Sequence, residues 1–403
     1  VADGASQRRC SWENEARIIL QTGFSMASVC RGRIRSPQCT LTPENHCTFR
    51  QLILQSFCKK SPIELKGTEM TKDAQPPRTL VWPTTHAKFP PQPVEQRFTA
   101  GAAYVDGEFC PIEEARIPLL DWGFLRSDAC QETISVWDGS FFRLQDHLER
   151  FQRSIGRLRM TSPESFDRIH SIVHELVVLP GFRNAYVQII MTRGRPPIGS
   201  RDLRLCKNRF QAFSMPYMWV APPEVQARGM SLHISTRVRV PPQSVDPMVK
   251  HYHWLDFQMG LFEAYDAGAE TVVLRDLDGH VTEGPGFNIF ADIEGRLVTP
   301  GHGVLDGMTR RTTLELCRDL GIEVVEGKLA PEQLRSANEA FLTTTAGGVI
   351  PVTLIDNVKI ADGTPGPKTA HLHTEYWKRR AAGWHAEPVV YRQVPEGEKI
   401  RTG

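Results

Sequence analysis

No stretch of this 403-residue chain stays apolar for the roughly 20 residues that a bilayer-crossing helix needs. The cluster at Val177–Pro180 is broken by charges and prolines within a few positions. A surplus of one charge is missing too. Against 48 Lys and Arg stand 46 Asp and Glu, for a formal net charge of +2. Bulk charge therefore gives no reason to expect nucleic acid or a membrane surface as partner. No two of the nine cysteines are spaced Cys-x-x-Cys, so a zinc ribbon or a thioredoxin-type pair has no support. Cys10, Cys30, Cys39, Cys47 and Cys58 crowd the first sixty residues, while Cys110, Cys130, Cys206 and Cys317 are scattered. A chain of this length needs no disulfides to hold a core. We read reduced thiols in a soluble, cytoplasmic protein, with organelle targeting by the N-terminal stretch left open.

What is present is ordinary globular material, 40% apolar and 23% charged, and enough of it for two domains. Residues 1–98 show no sustained period and end in a Pro-rich stretch, 76–93, that reads as an extended linker. Three readings compete for them: a targeting peptide, a disordered extension, or sequence ahead of a true start at Met70, which we favour. Regular patterning begins near Gly101. Asp106-Gly107 and Asp138-Gly139 each sit between short β-prone runs and predict two hairpins. Leu144, Leu148, Phe151, Ile155 and Leu158 form a helical stripe, and 166–178 a second helix. Strands are expected at 185–192 and 210–220, then at 271–274, 287–291, 296–299, 322–328, 340–345 and 349–355. Helices are expected at 256–267 and 309–320, each stopped by a glycine. Mixed helices and tight hairpins predict an α+β fold rather than a doubly wound parallel sheet. We expect a small domain over 99–221, a large one over 222–391, and a tail at 392–403.

Several residues could carry chemistry. Lys250 lies among apolar and aromatic neighbours (Asp-Pro-Met-Val-Lys-His-Tyr-His-Trp), where burial would lower its pKa and free its amine to attack a carbonyl. A snorkelling surface lysine is the plainer alternative. Glu283 sits before Gly284-Pro285-Gly286, glycines that would let backbone approach a ligand, or simply make a turn. Gly307-Met308-Thr309 opens a helix after a glycine-rich loop, a ready phosphate site or an ordinary cap. Thr344-Thr345-Ala346-Gly347-Gly348 ends a strand with hydroxyls and glycines. Arg150 lies on the first long helix. His251 with His253, and His371 with His373, lack a third ligand, so no metal is expected.

The order of these pieces resembles the class IV aminotransferases, enzymes of fold type IV that use pyridoxal 5'-phosphate. The resemblance runs over roughly residues 100–390. Glu114-Ala115-Arg116-Ile117-Pro118-Leu119-Leu120-Asp121, Ser135-Val136-Trp137-Asp138-Gly139, Phe141-Phe142-Arg143-Leu144, Asp146-His147-Leu148 and Thr192-Arg193-Gly194 look especially like the (R)-selective amine transaminases. The resemblance implies a two-domain fold like that of D-amino-acid aminotransferase. It implies Lys250 as the residue that holds the cofactor and moves the proton. Glu283 would face the pyridine nitrogen. Arg150, Met308, Thr309, Thr344 and Thr345 would bind the phosphate, and Trp254 would wall the site. It also implies a homodimer, and exchange between an amine or amino acid and a 2-keto acid by a ping-pong route.

The match departs at residues 124–133. Arg126 and Gln131 stand where the amine transaminases have His and Tyr. With Arg195 and Arg201 they are the expected substrate-binding residues. Arg126 as a fixed carboxylate anchor would favour amino acids over simple amines. We expect (R)-amine or D-amino-acid transamination; a branched-chain L-amino-acid aminotransferase and an inactive dimeric relative that only binds are the alternatives.

Overall fold

The computed structural model describes Leu80, Trp82 and residues 93–392, which fall in the second of two units, Gln75–Gly403. Apart from Leu80 and Trp82, the expected extension and linker up to 92 lie outside the described residues, as does the tail after 392.

Strands β1 (Ala102–Val105) and β2 (Glu108–Pro111) meet at the first Asp-Gly turn. Asp106 and Gly107 both have positive φ, 55° and 91°, which that tight turn requires. A short helix α1 (Trp122–Arg126) follows, capped by the Asp121 carboxylate, which accepts the Gly123 N–H at 2.8 Å. Strands β3 (Ala129–Trp137) and β4 (Ser140–Phe142) form the second expected hairpin. Helix α2 (Leu144–Arg157) buries Leu144, Leu148, Phe151 and Ile155 of the predicted stripe, while Leu158 lies just past its end and is half-buried. Burying one such side chain contributes about 1.5–3 kcal/mol. Helix α3 (Phe166–Val178) starts at Ser165, whose hydroxyl accepts the Arg168 N–H.

Strand β5 (Ala185–Arg195) runs three residues past its expected end, through a bulge after Thr192. Gly194 makes the bulge possible: its φ is 70°, and a Cβ there would lie 1.8 Å from the Lys207 carbonyl oxygen. Strand β6 (Lys207–Pro216) ends earlier than the expected 220. The chain leaves the sheet because the Val220 N–H bonds the Ala346 carbonyl and Trp219 packs on Trp137 and Trp377.

Helix α4 (Pro223–Arg228) leads to β7 (Met230–Val238), an element without a sequence expectation. Then come α5 (Leu255–Asp266), β8 (Thr271–Arg275), β9 (Glu283–Gly284), β10 (Phe287–Ile293) and β11 (Arg296–Pro300). Helix α6 (Met308–Asp319), β12 (Val324–Gly327), α7 (Pro331–Arg335), β13 (Glu339–Thr344), β14 (Gly348–Ile355) and β15 (Val358–Lys359) follow. Helix α8 (Pro367–Ala381) and β16 (Ala386–Pro388) close the described chain.

The first sheet is ordered β16-β4-β3-β5-β6-β1-β2 and is antiparallel throughout. Its last strand returns from the C-terminal end of the described chain. The second is ordered β12-β11-β10-β13-β14-β7-β8, with β9 on β10 and β15 on β14. It mixes antiparallel pairs with parallel ones at β11–β12, β14–β7 and β7–β8. Helices α2 and α3 cover the first sheet, and α6 and α8 share a core with Phe290 and Phe341 of the second. The α+β class predicted from the hairpins is the class observed.

Candidate functional site

A cavity of about 410 Å³ is lined from both sheets. Lys250 lies on its wall. The segment that carries it adds itself to β3: the Gln131 N–H donates to the Lys250 carbonyl at 2.9 Å, and Cys130 bridges His251. Val249, next door, is buried in the core of the first sheet. The backbone of Lys250 is therefore fixed while its amine makes no hydrogen bond or ion pair to another described residue. Burial, with help from the positive charge of Arg150, pushes that amine below its usual pKa, against the pull of Glu132 and Glu283.

Glu283 stands on β9 opposite Asn288 of β10. One carboxylate oxygen accepts the Leu305 N–H at 2.8 Å; the other lies 3.4 Å from Arg239 Nε. Burial raises the pKa of this carboxyl, opposed by Arg239, the Leu305 N–H and Lys250. Arg239 is itself buried. It donates to Asp256 Oδ2 at 2.7 Å and lies over the Phe257 ring at 4.1 Å. Gly284 has no room for a side chain: a Cβ would sit 2.3 Å from the Val272 carbonyl oxygen.

The start of α6 faces the same cavity through Gly307, Met308 and Thr309. No side chain caps it, so its first N–H groups have no partner within the helix. Its N-terminal dipole favours an anion there. Thr312 and Thr313 donate back to the Met308 and Thr309 carbonyls, each at 2.8 Å, so hydroxyls can be buried on this helix. Thr343, Thr344 and Thr345 line the wall beside it. The buried Thr343 hydroxyl has no partner among the described residues. Trp254 closes another side, edge-on to Phe257.

Arg150 reaches the cavity from α2. Its guanidinium is held by Glu132 and by the Asp306 carbonyl. Glu132 is wholly buried, and its ionisation is set by its partners. Burial alone would raise its pKa, but the Arg150 charge and hydrogen bonds, with His147, bring it down to about 2.

The class IV aminotransferase family model matches residues 129–355, more than half of the chain. The chain belongs to the class IV aminotransferases. A Methanocaldococcus jannaschii protein assigned as a branched-chain-amino-acid aminotransferase is 31% identical over 276 residues, 68% of this chain and 94% of that one. The D-alanine aminotransferase of Bacillus licheniformis is 28% identical over 274 residues, 67% of this chain and 93% of its own. A solved structure of a T.th. branched-chain amino acid aminotransferase, with pyridoxamine 5'-phosphate, superposes with a TM-score of 0.66 at 28% identity. It covers 72% of this chain and 99% of that one.

In this aminotransferase Lys250, Glu283, Arg150, Met308, Thr309, Thr344, Thr345, Trp254 and Gln131 all line one cavity. Arg126, Arg195 and Arg201 do not. Arg126 is exposed at the end of α1, its guanidinium 3.7 Å from the centre of the Trp122 ring. Arg195 and Arg201 are exposed in and after β5. Sequence reasoning missed Arg239, Asn288, Tyr186 and Thr133 on the cavity wall, and Glu132 behind Arg150. Alternation along β3 is the one signal that could have found Thr133, which shares a strand face with Gln131.

Proposed function

We propose that this aminotransferase binds pyridoxal 5'-phosphate and moves an amino group between an amine or amino acid and a 2-keto acid by a ping-pong route. The observation that carries the reading is the unpaired Lys250 amine in a cavity that also holds a buried carboxylate, Glu283, and an uncapped helix start. Those groups fit the cofactor. The α6 N–H groups, the orphaned Thr343 hydroxyl and Arg150 form an anion cradle. A Cβ on Gly307 would fall 2.1 Å from Asn288 Oδ1, so the backbone there is kept close to the cavity by a glycine.

Met308, Thr309, Thr344, Thr345 and Arg150 would hold the phosphate, and Trp254 would wall the ring. Bound there, the cofactor supplies an electron sink for the carbon that loses its proton. Glu283 would hold a proton at the ring nitrogen, and Arg239 beside it favours the carboxylate form that this requires. Lys250 would hold the cofactor in the resting enzyme, and its amine, once freed by substrate, would take up and return the proton at the substrate carbon. Its lowered pKa leaves a larger share of free amine near neutral pH.

For the substrate we infer an (R)-amine or D-amino acid, supported by the resemblance of residues 114–121, 135–148 and 192–194 and by the D-alanine aminotransferase relative. A branched-chain L-amino acid is the second reading, favoured by the branched-chain enzymes among relatives and structures. Arg126 at the end of α1, Arg195 at the end of β5 and Arg201 in the loop after it remain our proposed carboxylate-recognising residues, outside the single-chain cavity. A homodimer is part of the proposal. Leu119, Leu120 and Phe124, and on α5 Leu255, Phe262 and Tyr265, are large apolar side chains more than half exposed.

The test is a panel of both enantiomers of 1-phenylethylamine, alanine and leucine with pyruvate or 2-oxoglutarate. Turnover of the R or D members supports the first substrate reading, and turnover of L-leucine alone the second. A yellow protein whose colour is fixed to the Lys250 peptide by borohydride supports the cofactor assignment. A colourless protein that takes up no cofactor would sink it and favour an inactive binding relative.

A further inference from the structure

Helix α3 carries His170 and His174 four residues apart, on one face of the helix. Strand β16 brings Glu387 against both. Its Oε1 lies 2.7 Å from His170 Nε2 and 2.8 Å from His174 Nε2, and the two imidazole centroids are 4.8 Å apart. The His174 ring also packs against Phe141 at 4.8 Å, which limits its rotation. None of the three lines the cavity that holds Lys250.

We propose that His170, His174 and Glu387 form a site for a divalent transition-metal ion of the zinc type. Two imidazole nitrogens at i and i+4 with one carboxylate oxygen are a recurring donor set for such ions. The ligand atoms already converge from two elements that are far apart in sequence, so little chain rearrangement is needed. Side-chain exposures of 37%, 21% and 35% leave the site half open, so an ion can enter and water can complete its coordination. Without metal, both imidazoles can donate an N–H to the same carboxylate oxygen. An ion would take the place of those N–H groups, each ring then carrying its one proton on Nδ1.

The site has a structural consequence. Among the described residues, strand β16 pairs with the three-residue β4 alone, at the edge of the first sheet. Its neighbourhood is also tied by the Val389 N–H to the Gly139 carbonyl, by the Arg143 N–H to the His385 carbonyl, by the Tyr391 hydroxyl to the Phe182 carbonyl, by the Arg392–Glu175 ion pair and by burial of Val389. A metal held by α3 and β16 clips this C-terminal strand to the helix across a sequence separation of 213 residues.

The experiment uses the full-length protein, stripped with a chelator and dialysed against buffered Zn2+. Zinc per chain is then measured for the natural sequence, His170→Asn and Glu387→Gln, with circular dichroism to establish folding. The natural chain is expected to hold one zinc more than either variant, and to gain thermal stability with zinc that the variants do not gain. Thiols elsewhere in the chain are common to all three and cancel in the comparison. Equal zinc content and equal thermal response in natural chain and variants overturn the proposal. Should Glu387→Gln not fold, the His170→Asn comparison alone decides.

Discussion

Arg150 holds Glu132 through two parallel hydrogen bonds, Nε to Oε1 and Nη2 to Oε2, each 2.7 Å long. His147 Nδ1 lies 2.8 Å from the same Oε2, so one buried carboxylate on β3 orients two residues of α2. Bidentate pairing fixes the plane of a guanidinium as well as its place. Glu132 thus acts on the cavity through Arg150 and is a positioning residue. Glu132→Ala leaves Arg150 buried without its partner, a loss expected to cost about 3–5 kcal/mol. Chemical denaturation reads that cost, and the dissociation constant for pyridoxal phosphate reads the disorder of Arg150. A variant with unchanged stability and unchanged cofactor affinity would refute the role.

The same carboxylate sets a pH dependence. Its folded pKa of about 2 lies below the usual 4.5. A depressed acid stabilises the fold above its unfolded pKa, and that contribution is lost as pH falls from about 4.5 towards 2. The thermal midpoint of the natural chain should therefore fall through this window more steeply than that of Glu132→Gln. Parallel acid curves for the two chains would show that this carboxylate does not govern the acid limb.

Lys250→Ala removes the only lysine amine on the cavity wall among the described residues, one that the fold holds in place by backbone pairing with β3. Transamination should drop by at least about 10²–10⁴-fold, the usual contribution of a positioned proton carrier. Cofactor should still bind through the phosphate groups, and borohydride should no longer fix it to the chain. Retained turnover in this variant would remove Lys250 from the chemistry.

Much of this site was legible because its parts are local. Lys250 among aromatic residues, Glu283 before two glycines, and a helix opening at Gly307 each show in a short stretch of sequence. The Asp106-Gly107 and Asp138-Gly139 hairpins were legible for the same reason: the turn needs positive φ at both residues. Arg239 was not legible. It meets Glu283 across 44 residues, because β7 runs parallel to β8 and delivers its end to the segment before β9. No spacing rule announces such a contact. Glu132 sits in β3 between two other polar residues, Gln131 and Thr133, so nothing local marks it out, and only the packing of α2 on β3 gives it a partner. His170 and His174 have helical spacing, but their third member comes from β16, a strand too short to show a pattern.

Arg239 gives a prediction about Glu283. Burial raises the Glu283 pKa, and Arg239 is the first group opposing that rise. Arg239→Met should therefore raise it further, so a higher pH is needed to keep the carboxylate ionised. The acidic limb of the pH–rate profile is expected to move to higher pH, with Arg239→Lys moving it less. An acidic limb that stays in place in Arg239→Met would count against a carboxylate role for Glu283.

Gln131 offers a way to separate substrate choice from cofactor chemistry. It is the one expected substrate residue on the cavity wall, and its side-chain carbonyl accepts from the Gln188 amide, which also reaches the Tyr252 hydroxyl at 3.2 Å. Its backbone N–H is the group that pins Lys250. A side-chain substitution leaves that backbone bond in place. Gln131→Leu should therefore keep the cofactor and the borohydride linkage, while the loss of one polar group changes KM for the amino donor and leaves kcat within a few-fold. Loss of a hydrogen bond to substrate costs about 0.5–1.5 kcal/mol, a change of roughly 2- to 12-fold in KM. A fall confined to kcat, with KM for every donor unchanged, would assign Gln131 to holding Lys250 rather than to reading the substrate.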